Sequence, residues 1–180
     1  MCIRDSSITE VNTLLSDTDS ISGLTEEVRR LSREFGQSNV TSAQALYGTI
    51  SAGASTAEQA VTILTEANKL AQIGVTDVNT ALNAVQPALN AYGKGAESAA
   101  DFSALLFQTV RDGRTTIPEL SASLGQVTPL AAAAGVEFDQ LLSSIAALTK
   151  GGLTTSQAVT QVRAIPVSYT HLRAHETLPY

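Results

Sequence analysis

Apolar residues recur three and four positions apart through most of this chain. Leu24, Val28, Leu31 and Phe35 share one face, as do Ala43, Leu46, Tyr47 and Ile50. Ala57, Ala60, Val61, Leu64, Ala67 and Ala71 form a longer stripe, and Val78, Ala81, Leu82, Val85, Leu89 and Tyr92 form another. Ala99, Phe102, Leu106 and Val110 follow, then Phe138, Leu141, Leu142, Ile145 and Leu148. This is the spacing of amphipathic helices, and strand-like alternation is missing, so the pattern predicts an all-α fold with no sheet.

The stops are as regular as the stripes. Glycine falls at Gly53, Gly74, Gly95, Gly113, Gly135 and Gly152, about every twenty residues. A glycine can take the left-handed conformation that ends a helix. Helix-start signals follow. Ser55 and Glu58 have capping-box spacing, and Thr76, Thr115 with Thr116, and Thr154 with Thr155 can each accept from free amides. Pro118 and Pro129 suit first turns of short helices, whereas Pro87 sits inside a stripe and predicts a kinked or split helix. Unbroken, Arg33–Ala164 would make a helix about 200 Å long. With a stop every twenty residues the expectation is an array of short antiparallel helices and helical hairpins, a compact module rather than a rod. The rhythm is not a residue-by-residue repeat.

Composition narrows this picture. The 180 residues suit one domain, and 43% are hydrophobic, but 26 of those are alanine; Trp is absent, and there are four Phe and four Tyr. Alanine favours helix and close approach but removes little apolar area, so thin, tightly spaced helices of modest stability are expected. Net charge is −6, and the 11 basic residues are scattered, which disfavours nucleic-acid binding. No apolar run is long enough for a transmembrane helix, and Met1–Asp5 has no apolar leader character. A lone cysteine, Cys2, excludes an internal disulfide.

Candidate chemistry fails residue by residue. Gly93-Lys94-Gly95 lacks the spacing and hydroxyl of a phosphate loop and reads as a helix-to-helix turn. Asp17-Thr18-Asp19 opens like a calcium loop, but Ile21, Ser22 and Val28 occupy positions that need a ligand, a glycine and an acid. Asn39-Val40-Thr41 fits a glycosylation triplet, with Thr41 as helix cap the plainer role. His171 and His175 are four apart but lack helix signals around them. Glu26 and Glu27 are placed to pair with Arg30, and Arg29, Arg30 and Arg33 read as a solvated face. No catalytic, cofactor-binding or metal-binding residue is assigned, no cofactor is expected, and the chain is read as no enzyme.

The ends differ from the interior. Val167–Thr177 resembles translated sequencing adapter, and Met1–Ser6 resembles its counterpart. The expected organisation is therefore 1–6 foreign, 7–32 a helical lead-in, 33–165 the helical core region, and 166–180 a foreign tail.

Within that core, the order of several strings is similar to phage tail tape measure proteins of the lactococcal-phage type. They are Arg33-Glu34-Phe35-Gly36, Ala45–Gly53, Ala67–Ala71 with Gly74-Val75-Thr76-Asp77, and Leu89–Gly93. Ser123–Pro129, Ala131–Gly135 and Ile145–Thr149 with Gly152 complete the set, over about 130 residues. The resemblance implies a structural fragment that scaffolds tail tube assembly and sets tail length. The implied partners are the tail tube (major tail) protein, tail assembly chaperones, baseplate or tail tip proteins, and other tape measure copies. The implied location is the virion tail, with the host bacterial cytoplasm during assembly. The competing reading is a generic helical protein-binding or adaptor module.

Overall fold

A computed structural model describes residues 21–164, and within them every regular element is helical. Cys2, Asp17-Thr18-Asp19, the His171/His175 pair and both foreign-looking ends lie outside those residues. The helices are α1 (Ile21–Glu34), α2 (Asn39–Ser51), α3 (Ala57–Ile73), α4 (Val78–Ala91), α5 (Ala99–Asp112), α6 (Ile117–Leu124), α7 (Thr128–Ala133) and α8 (Phe138–Lys150), with a last helix, α9, over 155–164. A single 3-10 turn, Ala96–Ser98, leads into α5.

The predicted stops are real, but fewer glycines do the expected job. Six corners share one arrangement: an amide three residues past the end of the helix bonds a carbonyl five residues back, as in Gln37 to Ser32 (2.9 Å), Thr76 to Ala71 (2.9 Å) and Leu153 to Leu148 (3.2 Å). The left-handed residue at these corners is Gly36, Gly53, Val75, Gly93, Gly135 or Gly152. This is the Schellman ending, which satisfies carbonyls that a helix end leaves bare. Gly74, Gly95 and Gly113 are not left-handed. Gly74 has φ −81° and yields that position to Val75, while Gly95 and Gly113 are extended.

Caps shift by a residue or so where a closer acceptor is available. Thr56, not Ser55, caps α3 by accepting from the Gln59 amide, and Gln59 Oε1 accepts from Ser55 in return (2.7 Å from Oγ). The Ser55–Glu58 box therefore does not form. Asp77 replaces Thr76 at α4, since its carboxylate reaches both the amide (2.9 Å) and the hydroxyl (2.6 Å) of Thr80. Ser38 caps α2 and Thr41 supplies the bonded amide. Thr116 caps α6 as expected, and Thr154 with Gln157 makes a reciprocal box at α9. Pro118 and Pro129 occupy first turns.

Pro87 neither ends nor splits α4. Its missing N–H deprives the Asn83 carbonyl, and both residues lie on the water-facing side, where solvent can take the bond.

The core is one cluster. α3 and α4 form its centre: α3 packs on α1, α2, α4 and α5, and α4 also meets α6 and α7, so the helices surround a central pair rather than lie in a row. Leu46, Leu64, Leu106, Leu120 and Leu141 are fully buried, each contributing about 1.5–3 kcal/mol of apolar transfer. Nearly every stripe residue faces this core, with Tyr47, 37% exposed, the clear departure. Ile117, Leu120, Leu124 and Val127 form a buried block that no sequence stripe had singled out, because α6 is too short to show a period.

Candidate functional site

Three side-chain clusters join separate helices. Tyr92, Phe102 and Phe138 bring together the end of α4, α5 and α8. The Phe rings stack with centroids 4.5 Å apart, and Tyr92 meets Phe138 edge-on at 5.5 Å. The Tyr92 hydroxyl donates to the Val136 carbonyl (2.9 Å). Burial, aided by the negative charges of Glu137 and Asp139, pushes this phenol up to about 12. A phenol held protonated and tied to a backbone carbonyl braces a corner and offers no base.

The second cluster lies where α6 and α9 begin. Thr115 and Thr155 are buried and share a hydrogen bond (2.8 Å), and Thr155 is placed to donate to Glu119 (2.7 Å). Nearby, Thr149 accepts from the Arg114 amide (3.2 Å) while its hydroxyl bonds back to the Ile145 carbonyl. Arg114, Glu119, Ser123 and Thr155 edge an open cleft of about 450 Å³. Hydroxyls paired with one another and with a carboxylate clamp two helix starts. Among the described residues, the lining of this cleft holds no imidazole or amine to activate a threonine as nucleophile.

The third cluster binds α2 to α4 and the α1–α2 corner to α3. The Gln86 amide donates to the Thr49 carbonyl (2.6 Å), Asn90 to the Ala52 carbonyl (2.7 Å), and Gln37 to the Asn68 side chain (2.8 Å). Sequence reading passed over these amides. Their signal was weak, because asparagine and glutamine on helix surfaces are common and only the fold shows which ones face a carbonyl.

The motifs weighed in the sequence take structural places. Gly93-Lys94 is a helix corner, with Gly93 left-handed and the Lys94 amide bonded to the Leu89 carbonyl (2.9 Å). Asn39-Val40-Thr41 is the first turn of α2. On α1, Arg30 pairs with Glu27 (2.7 Å) and Glu34 (3.0 Å), whereas Glu26 pairs with Arg29 (2.7 Å) instead of Arg30. All are exposed surface pairs. Arg111 bonding holds the Asp112 carboxyl below its usual range, and Thr80 does the same for Asp77. Among the described residues, no three His, Cys, Asp or Glu side chains gather as a metal site, and no helix is long and apolar enough to cross a membrane. What these residues present is contact surface on a braced helical body.

The family described as phage-related minor tail protein matches residues 25–171. A probable tape measure protein of Clostridium phage phiCD119 is 33% identical over 144 residues, which is 78% of this chain and 15% of that protein. The chain thus spans about 15% of its relative's length. No solved structure matches the chain.

Proposed function

Because the chain belongs to the phage-related minor tail protein family, we propose that it is a helical scaffold segment of a tail tape measure protein, acting through contact surfaces and without catalysis. The carrying observation is the 33% identity to a probable tape measure protein along 78% of the chain. The helical body with its hydroxyl and amide clamps supports the same reading, since such a body presents surface for docking. Residues 7–165 are the native part in this reading, with 33–165 the tape measure core region. It works in the virion tail, after assembly in the host cytoplasm. Its partners are the tail tube protein, assembly chaperones, baseplate or tail tip proteins, and further copies of itself.

An in-frame deletion of the segment from the complete tail gene of a phage that carries it tests this. Electron microscopy is expected to show few tails or tails of altered length. Normal tails in normal numbers would overturn the scaffold role.

A further inference from the structure

One corner of the fold works against its own geometry. Among the described residues, six corners carry a left-handed residue, and at five of them it is glycine. Between α3 and α4 it is Val75, at φ 51° and 91% exposed. A β-branched L-residue is strained there, and its apolar surface is left in water. The connection is short, Gly74 to Asp77, and contains no proline, so every amide in it could serve an unbroken helix.

The apolar phase crosses this corner intact. The buried row of α3 and α4 runs from Ala60 to Ala88 in alternating steps of four and three residues, passing through Ala71, Gly74 and Val78. A hairpin does not require this, because each of its helices can set its own face. Two long helices lying side by side do require it, since their apolar seam must keep a seven-residue repeat from end to end. Gly74 falls on that seam at its midpoint, where two backbones would cross, and Val75 falls beside it.

Magnitude identifies the partner. Opening the corner in a single copy would strip the centre of the core, Leu64, Val78 and Val85 included, and strain at one residue cannot offset that. Opening it in two copies loses no such burial. α1–α3 of each copy can pack on α4–α9 of the other through the same contacts that close the monomer, among them Gln86 to Thr49 and Asn90 to Ala52. A short hinge under strain favours that exchange.

We propose that this chain exchanges α1–α3 with a second copy. α3 and α4 then become one helix over 57–91, about 50 Å long, antiparallel to its counterpart about a two-fold axis at Gly74. The exchange gives the copies of the proposed function a way to join. A chain that never exchanges would overturn it and leave the scaffold role standing.

The test is to refold the full chain from urea over a concentration series, up to millimolar, and separate the products by size. The expected product is a dimer that grows with concentration and reverts slowly on dilution. Spin labels at Thr62→Cys and Asn83→Cys, in a Cys2→Ser background and diluted with unlabelled chain, read the distance within one copy. They should lie about 30 Å apart in the dimer and about half that in the monomer. Val75→Gly removes the strain and should cut the association constant about tenfold. Overturning results would be a monomer at every concentration, open-ended growth beyond the dimer, a dimer that keeps the short distance, or a Val75→Gly variant that dimerises as its parent does.

Discussion

Val75 holds a φ of 51° while 91% of its surface is exposed. A left-handed conformation costs an L-residue roughly 1–2 kcal/mol, and a β-branched side chain adapts to it poorly. The residue is displaced there by its neighbour. An ideal Cβ on Gly74 would lie 2.6 Å from Ile117 Cγ1 and 2.9 Å from the Leu70 carbonyl, so Gly74 is held by close packing and not by its dihedral angles. The two positions should therefore respond oppositely. Val75→Gly is expected to raise stability by about 0.5–1 kcal/mol in urea unfolding, after allowing for the added freedom of the unfolded chain. Gly74→Ala is expected to lower it by about 1–3 kcal/mol. Equal signs would refute the distinction. At the aromatic cluster beside the end of α4, Tyr92 has a phenol pKa raised from 10.0 to about 12. Folding then favours the protonated form. The associated stability is complete below pH 10 and falls as pH climbs through 10 towards 12. A Tyr92→Phe variant should lack that alkaline loss when the two unfolding curves are compared across this range. An identical pH dependence in both proteins would show that the phenol contributes nothing.

Among the elements, α9 is tied to the rest of the body by a side-chain clamp. Thr155 joins α9 to Thr115 and to Glu119 on α6, 40 and 36 residues away in sequence. Thr155→Val keeps the shape and removes these hydrogen bonds, a change of about 1–2 kcal/mol. Hydrogen exchange over residues 155–164 should then accelerate about tenfold, with α3 amides unaffected. Unchanged protection in that helix would mean that packing of Ala158, Val159 and Val162 holds it alone. The elements also show why periodicity was readable in some places and silent in others. α3 has 17 residues and displays almost five turns of its stripe, whereas α6 and α7 have 8 and 6 and display about two. Their prolines marked their starts, but only packing against α4 identified Ile117 and Leu120 as core. The amide clamps were unreadable for a related reason. Gln86 and Thr49 are 37 residues apart, and nothing local relates them.

At the level of the whole molecule, the Schellman corners turn what could have been a rod of about 200 Å into a body around the α3–α4 pair. Small-angle scattering on the chain should give a radius of gyration near about 16 Å, the value for a compact domain of this length. A value several times larger, with a maximum dimension beyond about 120 Å, would mean that the corners open in solution. Within a much longer tail protein, such a body would add far less length than the same residues drawn out as one helix. The amino-acid sequence alone determined the helical class, the approximate stops and most of the buried faces, because these follow from periods and backbone preferences acting over a few residues. It also carried the tail resemblance. Tertiary structure decided which glycines turn the chain and which merely make room, let Pro87 stay inside a helix, and selected the side chains that tie distant helices together. Those outcomes depend on what stands opposite each residue in space, and spacing along the chain does not contain that information.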